Sequence, residues 1–161
     1  MDHTYGCIGF NFTPPSGQSQ GFMICRWPPF STGWHHVAGV FQKATGEVRI
    51  YLDGEAFGDP HYFGTDIQNS TAGLRVGGQL SGAVDELRIS DVARYAGSSY
   101  TVPTSPFTCD AHIRALWRFD EVAGSTTFHD ICGIDNLLVG HNGAHTEGLL
   151  GFWLYLPLTL E

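Results

Sequence analysis

Between Glu47 and Leu52 the chain alternates strictly: Val48, Ile50 and Leu52 fall on one side, and Glu47, Arg49 and Tyr51 on the other. A period of two is that of a strand with one face buried. Asp53-Gly54 follows, a pair that accepts the positive φ angles of a tight hairpin turn, and residues 55–58 read as the returning strand. Upstream, nearly every residue from Trp34 to Phe41 is apolar or small, the pattern of a strand covered on both faces.

No long stretch repeats with the 3.6-residue period of a helix. Residues 20–26 form a short apolar strand that Pro28-Pro29 interrupt. Further strands are predicted at 73–77, 82–90, 115–122 and 126–129, with a loop at 59–72 and a polar loop at 130–136. Ser90-Asp91 can cap one helical turn over 92–95. Short strands with turn signals every ten residues or so describe an all-β protein, a two-sheet antiparallel β-sandwich or jelly roll.

Composition agrees: only 15% of the 161 residues are charged, 13% are aromatic and 21 are glycine. A formal net charge of −8 repels phosphate backbones and anionic surfaces, so neither nucleic acid nor membrane insertion is expected. The same charge suits calcium or neutral glycans, and equally plain solubility. Cys7, Cys25, Cys109 and Cys132 show no CxxC spacing, which leaves a zinc site unsupported. Two readings stand: disulfides Cys7–Cys25 and Cys109–Cys132, favoured by neighbourhood, or four buried thiols. The chain opens without a signal-peptide pattern. The apolar run 149–158 is too short to span a bilayer and reads as a final strand or an altered reading frame. Asn11-Phe12-Thr13 and Asn69-Ser70-Thr71 are sequons, relevant only in a eukaryotic secretory pathway.

Several motifs in order resemble the laminin-G-like jelly rolls of the concanavalin A-like lectin and glucanase superfamily. They are Trp34-His35-His36-Val37-Ala38, Arg49-Ile50-Tyr51-Leu52-Asp53-Gly54, Gly82–Ile89, Ala115–Glu121 and the 130–136 loop. The resemblance spans about residues 33 to 148. It implies a sandwich, mostly extracellular or on the cell surface as part of a larger polypeptide, generally non-catalytic, binding glycans or proteins, in some members through calcium. The Leu116-Trp117-Arg118-Phe119-Asp120-Glu121 strand comes late here, whereas relatives carry it first. Either 115–148 opens a second, truncated repeat, or it folds back to supply the missing strands. A single domain over 1–161 is expected, because a sandwich without those strands would leave an open sheet edge.

Strand phase places Asp85 on the side of Ala83, Leu87 and Ile89, and Glu121 in phase with Trp117 and Phe119. Buried carboxylates need a cation or several N–H donors. Asp85, Asp120 and Glu121 are thus the candidate ligands of a structural calcium. The ordinary alternative is a bulge that turns Asp85 to solvent, or an acid paired with Arg88 or Arg118. The 130–136 loop lacks the acidic twelfth position of an EF-hand and reads as a turn held by Asx hydrogen bonds.

Glycosidases of the superfamily need carboxylates at alternate positions of one strand. Asp53-Gly54-Glu55 falls on a turn, while Asp85-Glu86 and Asp120-Glu121 are adjacent pairs whose members point apart. No enzyme is expected. His35 and His36 read as packing or hydrogen-bonding residues. His141 and His145 are separated by Asn142-Gly143, which argues against a helix aligning them.

Sugar recognition pairs flat aromatic faces with amides and carboxylates. His61, Tyr62, Phe63, Asp66 and Asn69 have that composition and form the candidate ligand-binding loop, with Trp27, Tyr95 and Tyr100 as further candidates. The expected partner is a glycan or a cell-surface protein. A structural or adhesive repeat that self-associates is the alternative.

Overall fold

The computed structural model describes residues 6–12, 20–26, 31, 33–64, 66, 73–77, 80, 82–133 and 135–147. Both sequons, Trp27, Pro28-Pro29, Asn69 and the 149–158 run lie wholly or partly outside these residues. All described strands pair antiparallel and no described residue is helical, so the fold class is all-β, as a concanavalin A-like sandwich requires. The chain divides into two compact units, Met1–Thr71 with Ala93–Val102, and Ala72–Val92 with Pro103–Glu161.

In the first unit β1 (Gly6–Phe12) pairs with β2 (Gln20–Arg26), and Cys7 faces Cys25 in register. The two form a disulfide. Strands β3 (Val37–Gln42) and β4 (Glu47–Leu52) make a hairpin that runs from Val37 opposite Leu52 to Gln42 opposite Glu47. The Asp53-Gly54 turn, with φ of 52° and 85°, then returns the chain into β5 (Glu55–Ala56). Two consecutive positive φ angles are those of the two-residue hairpin turn expected for Asp-Gly. Val48 and Ile50 are buried with Phe41, Phe57, Phe63 and Ile8 around them. Alternation thus places Val48, Ile50 and Leu52 inward as read, but Tyr51, on the opposite phase, is fully buried as well.

Two expectations in this unit are corrected. The strand begins at Val37 and not Trp34, because the His36 N–H donates to the Asp53 carboxylate at 2.9 Å, outside the ladder. Its burial alternates along β3, with Val37 49% exposed, so it is not covered on both faces. Within the expected 59–72 loop, β6 (His61–Tyr62) pairs with β4, Tyr62 opposite Glu47 and His61 opposite Val48.

In the second unit β7 (Leu87–Ser90) pairs with β8 (Ile113–Trp117), and β9 (Thr127–His129) pairs with β10 (Leu137–Val139). Ala115, Trp117, Phe128 and Ala144 form its core, flanked by Leu87, Ile89, Phe119 and Leu138. Cys109 and Cys132 are disulfide-bonded, so the thiol reading falls for both pairs. Asp130 shows the expected Asx turn: Oδ1 accepts from the Cys132 N–H at 2.9 Å and the Leu116 N–H at 3.1 Å, and Oδ2 accepts from Asn136 at 3.0 Å.

The strands are shorter here than their hydrophobic pattern predicts. Residues 73–77 are not a strand, 82–90 shrinks to β7, and in place of 115–122 the shorter β8 starts earlier, at Ile113, and ends at Trp117. Glu86 and Phe119 have φ of 51° and 57°, left-handed geometry that ends a pleated ladder. Nor is 92–95 helical. The Asp91 carboxylate that would cap it is taken by Arg114 and by His112, the latter at 3.1 Å.

Candidate binding site

Antiparallel register puts Val40 opposite Arg49 and Gln42 opposite Glu47, so these four side chains share the face of β3–β4 turned away from Val48 and Ile50. On this face lies an open hollow of about 340 Å³. Gln42, Glu47 and Arg49 line it together with Tyr51, Tyr95 and Gly97. The volume is at the small end of the range for small-molecule sites.

The hollow combines an ion pair with aromatic walls. Arg49 Nε donates to Glu47 Oε1. That bond, helped by the Arg49 charge and the Tyr62 hydroxyl, outweighs the opposing effect of burial and holds the Glu47 carboxyl below its ordinary value, and it raises Arg49 in turn. Tyr51 is fully buried and its hydroxyl donates to the Gly97 carbonyl at 3.0 Å, which locks one wall. Tyr95 stacks flat on Tyr100, with ring centroids 3.6 Å apart and planes 10° from parallel. Tyr51 meets both rings edge-on.

The expected ligand loop lies in the same unit. Tyr62 is 64% exposed and its hydroxyl donates to Glu47 Oε2 at 3.2 Å, so it stands beside the hollow. His61 is exposed and stacks on Phe63, which belongs to the core around Val48. Asp66 pairs with Lys43 at 3.1 Å. Asn69 lies outside the described residues. Sequence reasoning named Tyr95 but missed Gln42, Glu47 and Arg49, whose signal was present as the polar phase of β4 and its register partner on β3.

Of the three candidate metal ligands, Asp120 is exposed and near enough to Asp85 for its charge to act there, while Glu121 makes contacts of its own. Asp85 is exposed, because the left-handed Glu86 breaks the strand phase that would have turned it inward. Its carboxyl is nonetheless raised, by partial loss of solvation first and by the charge of Asp120 second. Glu86, not Asp85, faces the protein: its carboxylate accepts from the Phe107 N–H and lies 3.6 Å from Arg118 Nε. Glu121 Oε1 accepts from the His129 N–H at 2.8 Å, while its Oε2 is buried without a hydrogen-bond partner. An orphaned carboxylate oxygen is a donor a cation could use, yet calcium takes six to eight oxygens. Among the described residues no group of three His, Cys, Asp or Glu side chains gathers to hold a metal.

A family model described as the concanavalin A-like lectin/glucanases superfamily, of laminin-G type, matches residues 6–97. The chain belongs to this family. The matched stretch starts earlier and ends earlier than the motifs of the sequence had marked. No curated protein and no solved structure matches. The laminin-G-like assignment supports a lectin-like or recognition module in general, and domains of this type are typically non-catalytic, although the superfamily also includes glycosidases.

Asp53, Glu86 and His35 are engaged in contacts within the fold. Asp53-Gly54-Glu55 occupies the β4–β5 turn, and Asp85 and Glu86 point apart. His35 Nδ1 lies 2.7 Å from Asp53 Oδ2, and Nε2 lies 3.1 Å from both the hydroxyl and the carbonyl of Ser31. The trio has the composition of an acyl-transfer relay. However, a relay needs the hydroxyl to donate to the ring nitrogen, and here the same Nε2 is shared between the Ser31 hydroxyl and the Ser31 carbonyl, with its role set by the tautomer. His35 staples the segment before β3 to the turn. Desolvation raises the Asp53 carboxyl, but the His35 and His36 hydrogen bonds and charges outweigh it and hold the group below its ordinary value.

Proposed function

We propose that this chain is a non-catalytic recognition module that binds carbohydrate. The observation that carries the reading is β4 itself. One face of the strand is filled by core, and the other presents a carboxylate, a guanidinium and tyrosine rings around an open hollow. Such a mixture suits the hydroxyls and apolar faces of sugars. Family membership supports it independently. Two disulfides fit an oxidising compartment, so an extracellular or cell-surface setting goes with the reading.

The test is a glycan array on the purified chain, read in calcium and again in EDTA, with released sugar measured alongside. Binding without turnover is the expected result. Loss of signal in EDTA would add calcium to the site, and signal in both would remove it. Silence in both, with scattering that rises with concentration, would replace the reading with a self-associating structural repeat.

A further inference from the structure

The geometry points to the β3–β4 hollow as a subsite for one neutral sugar ring, held by Gln42, Glu47 and Arg49 and packed against Tyr95. The inference rests on the carbohydrate reading and adds the site and the ligand class. Three observations carry it.

The first is the donor set. Gln42 offers an amide with both donor and acceptor, Glu47 accepts, and Arg49 donates, all on one sheet face and lining one hollow. Neighbouring hydroxyls of a sugar, each a donor and an acceptor, match that mixture better than a purely anionic or purely apolar ligand does.

The second is charge. Arg49 and Glu47 are paired with each other, so the hollow carries no uncompensated cation for a uronate or phosphate. The chain around it has a net charge of −8, which further disfavours anions.

The third is rigidity. Tyr95 is backed by the stacked Tyr100, and Tyr51 is tied to Gly97. The wall is therefore fixed before a ligand arrives, which lowers the ordering cost of binding.

The experiment is a backbone-amide NMR titration of the whole chain with a panel of neutral methyl glycosides (glucose, galactose, mannose and N-acetylglucosamine) and with glucuronate and galacturonate. At least one neutral glycoside is expected to shift the amides of Gln42, Glu47, Arg49 and Gly97 together and saturably. Gln42→Ala and Arg49→Met should each weaken that binding roughly tenfold, the scale of one lost hydrogen bond to a charged or amide group. Gln42 is exposed, so its variant keeps the fold even if Arg49→Met does not. Still amides with a positive array would overturn the subsite while sparing the carbohydrate reading. Silence in both experiments would overturn both. Tighter binding of the uronates would overturn the neutral class.

Discussion

Tyr62 stands opposite Glu47 across the β4–β6 pair, and its hydroxyl donates to the same carboxylate that accepts from Arg49. One acid therefore joins the aromatic loop to the hollow. Tyr62→Phe removes only an exposed hydrogen bond and should leave the melting temperature within about 1 °C. Tyr62→Ala also removes the ring beside the site and should weaken glycan binding by roughly 3- to 10-fold, the worth of one aromatic contact. Calorimetric titration of both variants checks this.

The Glu47 carboxyl sits below its usual 4.5 because Arg49 bonds to its charged form. An acid with a lowered folded pKa keeps its contribution above the unfolded value and loses it as pH falls through the folded one. Glycan binding should therefore be flat from neutral pH to about 4.5 and fall only below it. A decline centred near pH 6 would implicate a histidine instead.

Asp85 and Glu86 behave oppositely. Both are raised, Asp85 by desolvation and then Asp120, Glu86 by desolvation above all. Folding then favours their protonated forms, and stability falls as pH rises above their ordinary values of 3.8 and 4.5. Asp85→Asn should raise the melting temperature at pH 7 by about 1–2 °C, after discounting for its exposure. The gain should vanish below pH 3.8. An Asp85→Asn variant that melts below the parent chain in calcium, and above it again in EDTA, would show that Asp85 ligates the ion.

The β4–β5 turn predicts two further losses. Asp53→Ala removes acceptors from His35 and the His36 amide, and should cost about 1–3 kcal/mol. Gly54→Ala places a Cβ 2.5 Å from the Tyr100 carbonyl oxygen at a φ of 85° and should cost at least about 2 kcal/mol. Denaturant unfolding measures both, and Gly54→Ala should prove the worse.

Reduction should also destabilise the chain. The Cys7–Cys25 and Cys109–Cys132 bridges close separations of 18 and 23 residues, each worth about 3 kcal/mol on chain-entropy grounds. Melting with and without a reductant tests this, and an unchanged midpoint would contradict it.

The fold was legible where period-two patterning and turn chemistry agreed. Val48 and Ile50 alternate with polar neighbours, and Asp53-Gly54 can adopt only a few turns, so the central hairpin could be read directly. The ends of β7 and β8 could not be, because nothing in the residue types Glu86 or Phe119 announces a positive φ. That single reversal misplaced Asp85 and gave its inward position to Glu86. The site was half legible for a related reason. Tyr62 and Tyr95 stand out as aromatic residues in loops, whereas Gln42 and Arg49 acquire meaning only once register sets them side by side.

A crystal structure of the chain soaked with its tightest-binding neutral glycan tests the central claim most directly. The expected result is a sugar ring against Tyr95, its hydroxyls within hydrogen-bond distance of Gln42, Glu47 and Arg49. A sugar bound elsewhere with the hollow holding only solvent, or no glycan that binds at all, would contradict it.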